Sequence, residues 1–208
     1  MTPDDLQALG LTCKLAVLST PLLLFICIPT AWWLARSRGR LKIVVEAVVT
    51  LPLVLPPTVL GFYLLLALGP HGPLGKLSAL LGGPSLVFNF NGLLIGSVVY
   101  SLPFVLQPLV AAFASIERGQ LEAAATLRAS PLDRFFSVVL PLNWPGMVSA
   151  AVLGFAHTLG EFGIVLMMGG NIPGSTRLLS IAIYDHVEGL DFASAHRLSA
   201  TLLAGSFV

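Results

Sequence analysis

Residues 15–35 read LAVLSTPLLLFICIPTAWWLA, a run of 21 residues without a single charged side chain. A stretch of about 20 apolar residues is long enough to cross a bilayer as an α-helix. The rest of the chain has the same character, since 56% of its 208 residues are hydrophobic and 10% are charged. An ordinary soluble domain carries about 25% charged residues. The sequence therefore predicts an all-α integral membrane protein.

Further apolar runs predict about five transmembrane helices in a single domain that covers residues 1–208. The runs lie at about 15–35, at 43–68, within 93–116, within 145–168, and from 195 to the last residue. The last run is too short to span, so we expect the final helix to be cut short. The chain begins Met1-Thr2-Pro3-Asp4-Asp5, acidic where a secretory signal needs positive charge. We therefore expect the first helix to remain in the mature protein.

The loops alternate in charge. Residues 36–42 read RSRGRLK, with four positive charges, and the loop after the third run carries Arg118, Arg128 and Arg134. In contrast, residues 69–85 hold only Lys76, and residues 169–194 hold one arginine against three acids. Loops rich in Lys and Arg stay in the cytoplasm. The pattern predicts an N-terminus outside and a cytoplasmic loop at residues 117–141.

Several function classes are excluded at this point. A net charge of +1 is far from the basic footprint of a nucleic-acid-binding protein. Residues 70–77 lack the first glycine of a phosphate-binding loop, at Pro70, and the Ser or Thr that should follow Lys76. No Ser/His/Asp arrangement or metal-spaced cluster is present in the sequence. We expect neither an enzyme nor a metal site, and no cofactor bound by this chain.

Prolines interrupt the second run. Pro52, Pro56 and Pro57 cannot all sit in one regular helix, because each removes a backbone hydrogen bond. A broken segment at membrane depth is typical of a transport pathway, where freed carbonyls find protein or water. The alternative is a kink that only helps the helices to pack.

The fourth run contains the sequence HTLGEFG at residues 157–163. His157 and Glu161 are four residues apart, which would place them on one helix face. Ionisable groups inside a bilayer mark a functional interior by default. The alternative places Glu161 near the outer headgroups, paired with His157 for packing only. The residues predicted to line the pathway or gate are Pro52, Pro56, Pro57, His157, Gly160, Glu161 and Gly163.

Residues 117–141, which we call the coupling loop, read ERGQLEAAATLRASPLDRFFSVVLP. The pattern predicts a short helix over about 120–127, a turn, and a second helix that begins at Ser130-Pro131. Serine before a helix and proline at its first position are start signals. A compact helix pair joined to two membrane helices can act as a lever.

This loop resembles the EAA loop of ABC-importer permeases, whose pattern is E-A-A-x3-G-x9-I-x-L-P. Glu122, Ala123 and Ala124 match its start, Val138 stands for the isoleucine, and Leu140-Pro141 match its end. The glycine of the pattern falls on Arg128, which puts the geometry of the turn in question. A cation there suits the C-terminus of the preceding helix.

Further blocks are similar to the molybdate/sulfate group of these permeases, and to its molybdate members in particular. They are residues 51–61 (LPLVLPPTVLG), 160–163 (GEFG), 171–177 (NIPGSTR) and 182–184 (AIY). The blocks occur in order, and the resemblance extends over about residues 11–208.

The resemblance implies a type I ABC importer permease that moves molybdate across the bacterial inner membrane as a homodimer. Two cytoplasmic ATPase subunits, which hold ATP and magnesium, would dock on the coupling loops, and a periplasmic oxyanion-binding protein would deliver the substrate. The implied ATPase-coupling residues are Glu122, Ala123, Ala124, Leu127, Arg128, Leu140 and Pro141. For Glu122 the alternative is a solvated acid at a helix start, favoured by the helix dipole.

Other functions remain open on the sequence. The same architecture could carry sulfate, tungstate or thiosulfate, because selectivity is expected in the binding protein and no run holds a Lys/Arg cluster. An ion-coupled secondary transporter would explain the broken helix and Glu161 but would leave the coupling loop unexplained. A membrane-anchoring or assembly subunit would explain the composition alone.

Overall fold

Twelve α-helices and one π-helical segment form the described part of the chain. The computed structural model describes residues 1–206, apart from the side chain of residue 118, and this range contains no β-strand. The all-α prediction is confirmed. The helices are α1 Pro3–Arg36, α2 Arg40–Val54, α3 Pro57–Leu68, α4 Pro73–Leu80, α5 Phe90–Ala114, α6 Arg118–Thr126, α7 Pro131–Arg134, α8 Leu140–Leu142, α9 Trp144–Leu159, α10 Gly163–Gly169, α11 Leu179–Glu188 and α12 Phe192–Ser206. The π-helical segment, Phe135–Val139, joins α7 to α8.

Within residues 1–206, three helical stretches are long and apolar enough to cross a membrane. They are α1, the α3–α4 stretch Pro57–Leu80, and α5. A fourth forms if the pair Pro131–Leu142 and Trp144–Leu159, bent by 71°, counts as one span. The expected second and fourth spans, 43–68 and 145–168, are therefore not continuous helices. The fifth run forms α12, whose 15 described residues are short for a span, and residues 207 and 208 lie outside the described residues.

Proline chemistry explains why the second run divides where it does. Helix α2 ends with the Leu55 N–H donating to the Leu51 carbonyl at 3.0 Å. Pro56 is extended, with ψ 135°, and Pro57 is the first residue of α3, where a helix needs no N–H donor. Pro52, by contrast, lies inside α2 and is buried. The predicted break is confirmed, and it lies at Pro56-Pro57.

The core is built around α1, which packs along α5 and α9. Helix α9 also packs closely on α5 at Gly154, because a Cβ there would lie 2.5 Å from Val105 Cγ2. A first cluster of buried side chains includes Leu23, Cys27, Ala31, Leu34, Val105, Leu109, Phe113 and Ala150. A second includes Leu15, Leu93, Ile164, Met168 and Ile181, and it joins α1 and α5 to α10 and α11.

The turn of the coupling loop keeps the geometry of a glycine turn although it has no glycine. Arg128 adopts a left-handed conformation with φ 61°. The Arg128 N–H donates to the Ala125 carbonyl at 2.9 Å, and the Ala129 N–H donates to the Ala124 carbonyl at 3.2 Å. These two bonds form a Schellman motif, which normally places glycine at the left-handed position. The turn therefore forms with arginine at position 128, but the backbone of Arg128 is strained because its left-handed conformation favours glycine.

The second half of the coupling loop is held against the bundle by aromatic side chains. Ser130 caps α7 by accepting from the Asp133 N–H at 3.1 Å, as its position before Pro131 predicts. The Phe135 ring then lies 5.6 Å from the ring of Trp32 on α1, and Trp32 lies 5.8 Å from Phe113 on α5. The loop is thus packed against both helices.

Arg128→Gly should raise the free energy of unfolding of the permease by about 1 kcal/mol, because glycine removes the left-handed strain. Ala125→Gly, in the last turn of α6, is the matched control and should lower it by up to about 1 kcal/mol, since glycine is a poorer helix former than alanine. Thermal unfolding of both purified variants in detergent gives the comparison. Equal losses of stability in the two variants would show that position 128 is not strained.

Candidate functional site

A cavity of about 530 Å³ opens beside the gap between α9 and α10. We call it the break cavity, and its lining residues come from α3, α5, α9 and the segment that follows α9. They are Pro57, Thr58, Tyr100, Ala156, His157, Gly160, Glu161, Phe162 and Gly163. Five of the seven residues predicted to form the pathway or gate thus meet at one cavity. Pro52 and Pro56 do not line it.

Glu161 lies in the gap itself and not on a helix. Helix α9 ends at Leu159, Gly160 follows as its C-cap, and α10 begins only at Gly163. The prediction that His157 and Glu161 share one face of a continuous helix is therefore wrong. Their spacing brings the groups near each other all the same, with His157 Nδ1 3.6 Å from Glu161 Oε1.

The carboxylate of Glu161 is buried among hydroxyl groups of α5. The residue is 2% exposed. Ser101 donates to Oε1 at 2.6 Å and Ser97 donates to the same oxygen at 3.1 Å. The backbone carbonyl of Glu161 accepts from Ser180 Oγ of α11 at 2.5 Å. Oε2 has no hydrogen-bond partner among the described residues.

His157 bridges this polar group and an aromatic wall. Its Nδ1 lies 2.9 Å from Ser101 Oγ. On its other side the imidazole stacks on the ring of Phe104, with ring centres 3.7 Å apart, and lies 4.8 Å from the ring of Tyr100. The stacking fixes the orientation of the ring, and Ser101 joins it to Glu161.

The hydroxyl groups were missed by the sequence analysis. Ser19 of α1 lies 3.3 Å from Thr158, and Thr158 lies 3.3 Å from Ser101 and 3.4 Å from Ser97. All four residues are fully buried. The only signal in the sequence was the spacing of Ser97 and Ser101, four apart on α5, and serine is too common in membrane helices for that spacing to be specific. With Glu161 these residues form what we call the hydroxyl cluster.

Two glycines at the gap differ in the space around them. A Cβ at Gly163 would lie 3.0 Å from Pro57 Cβ and 3.4 Å from Thr58 Cγ2, so α10 begins in tight contact with the start of α3. A Cβ at Gly160 would meet nothing closer than the His157 carbonyl at 3.8 Å. A side chain would therefore crowd the contact with α3 at position 163 but not at position 160.

The segment between α10 and α11 is tied to its neighbours by side chains. Thr176, fully buried, donates to the Gly169 carbonyl at 2.7 Å. The Arg177 guanidinium pairs with Asp185 of α11 at 2.6 Å. Thr12 of α1 accepts from the Leu179 N–H at 2.8 Å. Thr176 and Arg177 thus tie block 171–177 to α10 and α11, and Thr12 ties the start of α11 to α1.

The same end of the molecule carries a smaller polar group around His186. Its Nε2 lies 3.0 Å from Asp5 and its Nδ1 lies 3.5 Å from Asp191. Hydrogen bonds from the hydroxyl and the backbone N–H of Ser194 hold the pKa of Asp191 below its usual range. These contacts link the start of α1 to α11 and α12.

The predicted ATPase-coupling residues lie apart from the break cavity. On α6, Glu122 and Ala123 are exposed and Ala124 is half-buried, and Leu127, just after the helix, is 84% exposed. Leu140 packs against the first core cluster, and Pro141 is exposed. Glu122 is in the middle of α6, not in its first turn, so the alternative of a helix-start acid loses its basis.

Comparison with known proteins identifies the class. Residues 27–208 match the family described as "Binding-protein-dependent transport system inner membrane component". Because this match covers most of the chain, the protein belongs to that family. Its helices have the type I ABC permease fold, and it is a multi-pass inner-membrane subunit of a transporter. The resemblance seen in the coupling loop is confirmed.

Individual relatives point in the same direction. The chain is 57% identical over 208 residues to the molybdenum transport system permease protein ModB of Azotobacter vinelandii, which covers all of this chain and 92% of that protein. It is 37% identical over 184 residues to the Haemophilus influenzae protein of the same name, and this alignment covers 88% of this chain and 80% of that protein. A probable sulfate transport system permease protein, cysT of Chlorella vulgaris, is 34% identical over 172 residues, and this alignment covers 83% of this chain and 64% of that protein.

Ser101→Ala should lower the free energy of unfolding by about 2 kcal/mol, because it removes a buried hydrogen bond to a carboxylate. Ser149→Ala on α9 is the control, since the hydroxyl of Ser149 is exposed and bonds only to the Pro145 carbonyl of its own helix. Thermal unfolding in the same detergent compares them. If the two variants lose equally little, the Ser101 contact contributes no stability.

Gly163→Ala should destabilise the permease by about 1–3 kcal/mol, because the added methyl group must push apart α10 and the start of α3. Gly160→Ala should have little effect, since the space beside it is open. The two thermal midpoints provide the measurement. An equal loss in both variants would contradict the tight contact at Pro57.

Proposed function

We propose that this chain is the membrane subunit of an ATP-driven importer that moves molybdate across the inner membrane. The observation that carries the proposal is the 57% identity, along all 208 residues, to a molybdenum transport system permease protein. The coupling loop and the break cavity supply the two parts that such a subunit needs, one to receive work from an ATPase and one to open and close around the substrate.

The orientation follows from the charges. The cationic segment 36–42 and the coupling loop face the cytoplasm, and the N-terminus faces outside. Two copies of the chain form the pathway between them, and each receives one ATPase subunit on its coupling loop. A periplasmic binding protein delivers the oxyanion at the opposite face. ATP and magnesium are held by the ATPase, and this chain holds no cofactor.

The coupling loop transmits the movement of the ATPase to α9. Leu121, 7% exposed, joins α6 to the first core cluster, and Phe135 packs on Trp32. The π-helical segment and α8 then lead into α9 through a bend of 71°. Because α9 ends at the gap, a tilt of α9 displaces His157 and the residues of the gap relative to α3 and α5.

The break cavity suits a dianion that must leave again. None of its nine lining residues is a lysine or arginine, so it offers no cation that would trap an oxyanion. Glu161 is not placed to attract one either, since a carboxylate repels an anion and this carboxylate bonds to Ser97 and Ser101. Its role is to position the gap, and selectivity belongs to the binding protein.

Sulfate is not favoured as the substrate. The probable sulfate transport system permease protein is 34% identical over 172 residues, against 57% over 208 residues for the molybdenum transport system permease protein. The mechanism would be unchanged. An ion-coupled carrier is not favoured, because members of this family are subunits of transporters that use ATP and need no ion gradient.

The test is ATP hydrolysis in proteoliposomes that hold this subunit with its ATPase and binding protein. Molybdate-loaded binding protein should stimulate hydrolysis more than sulfate-loaded or tungstate-loaded protein. Stimulation by sulfate alone would retain the mechanism and change the substrate. No stimulation by any of the three oxyanions would contradict the proposed function.

Ala123→Glu should abolish association with the ATPase, because a bulky charge at an exposed docking position prevents close approach. Position 123 is a sharper choice than 124, whose side chain is half-buried and could disturb the fold. Ala123→Ser, which stays small, is the matched control and should bind normally. Co-purification of the tagged permease with its ATPase gives the result. Normal association of the glutamate variant would rule out α6 as the docking helix.

A further inference from the structure

A second cavity, of about 590 Å³, lies where α1 and α5 end and α2 and α6 begin. Four cationic side chains line it, and Glu122 is the single acid among its lining residues. The cations are Arg36, Arg38, Lys42 and Arg134. We call this the basic cavity. It is separate from the break cavity, with which it shares no lining residue.

The arrangement goes beyond the charge bias expected of a cytoplasmic loop. That bias explains why residues 36–42 are basic, but not why Arg134, from the far side of the coupling loop, meets three of them at one cavity. Nor do all the loop cations take part, since Arg40, in the same segment, does not line the cavity. The basic cavity therefore brings together a particular subset of the cationic residues of these two loops.

One of the arginines has a buried donor without a partner, and the orientation of another is restricted by an aromatic ring. Arg134 Nε is buried and has no hydrogen-bond partner among the described residues. The guanidinium of Arg36 lies 3.8 Å over the ring of Trp32, which restricts its orientation. Guanidinium groups with fixed orientation bind phosphate-type oxygens through paired N–H donors. An oxyanion in the basic cavity would supply the acceptor that Arg134 lacks.

The start of α2 adds to the positive potential. This helix of 15 residues has Gly39 as its N-cap, and no side chain caps its first N–H groups. Lys42, its third residue, lines the basic cavity. Uncapped N–H groups at a helix N-terminus favour a bound anion. They act here together with the arginine side chains, since the ammonium group of Lys42 also pairs with Glu46 at 3.6 Å.

We propose that the basic cavity binds a phosphate-type oxyanion. Two sources share this chemistry, the phosphate headgroup of an anionic lipid in the inner leaflet and a free oxyanion from the cytoplasm. The cytoplasmic position rests on the proposed function. Leu121, Glu122 and Ala125 of α6 also line the cavity. A bound anion therefore reduces the repulsion among the cationic side chains next to α6 and holds the coupling loop against α1.

The experiment uses the complex of this permease with its ATPase, purified in nanodiscs of phosphatidylcholine. One arm replaces part of the lipid with phosphatidylglycerol, and the other adds sodium phosphate to pure phosphatidylcholine discs. Thermal unfolding is followed for the wild type, Arg38→Gln, Arg134→Gln and the matched control Arg40→Gln. Should Arg134→Gln fail to fold, Arg38→Gln still provides the test, because its side chain is exposed.

One probe should raise the midpoint in the wild type and in Arg40→Gln. In Arg38→Gln and Arg134→Gln the half-saturating amount of that probe should rise about fivefold, as expected for one lost cation near an anionic surface. A response to phosphatidylglycerol identifies a lipid site, and a response to phosphate identifies a free-anion site. No shift with either probe, or an equal loss in Arg40→Gln, would overturn the proposal. A midpoint shift that persists without oxyanion-stimulated hydrolysis would count against the proposed function alone.

Discussion

Burial of the Glu161 carboxylate is the constraint on which the gap between α9 and α10 depends. A charged group away from water is costly unless hydrogen bonds replace its hydration. Ser97 and Ser101 supply those bonds from α5, while the carbonyl of the same residue accepts from Ser180 of α11. A single residue thus links α5 and α11 at the point where the chain leaves helical geometry. The gap is therefore an ordered segment whose position is fixed by side-chain hydrogen bonds.

The coupling loop is held by a different kind of contact. Its attachment to the bundle is largely apolar, because Leu121 and Val139 belong to the first core cluster and Phe135 packs against it. Close-packed interiors transmit displacement because they have few voids into which a side chain can yield. The molecule therefore has a packed apolar linkage at one end of α9 and a hydrogen-bonded gap at the other. Under the proposed function, this division lets a force on the loop alter the gap without unfolding either end.

Much of the fold could be predicted because it depends on local physics. Apolar length predicted membrane helices, the prolines at 52, 56 and 57 predicted a break in the second run, and Ser130-Pro131 predicted the start of α7. Sequence spacing failed where tertiary contacts decide the structure. The four-residue spacing of His157 and Glu161 assumed a helix that Gly160 ends. Nor could spacing foresee that Ser19 and Thr158 would meet Ser97 and Ser101, since these residues come from three helices distant in the chain. The turn of the coupling loop was predicted from its sequence pattern, but the left-handed conformation of Arg128 is visible only in the structure.

The most direct test of the account is amide hydrogen exchange at residues 160–163. In the wild type in lipid, these amides should be protected, although they lie outside helices or at a helix start. In the Ser97→Ala/Ser101→Ala double variant their exchange should be about tenfold faster or more, because hydrogen bonds to a charged group contribute about 1.5–3 kcal/mol. Exchange in Ser149→Ala should match the wild type. Equal protection in the double variant would contradict the claim that the hydroxyl cluster holds the gap.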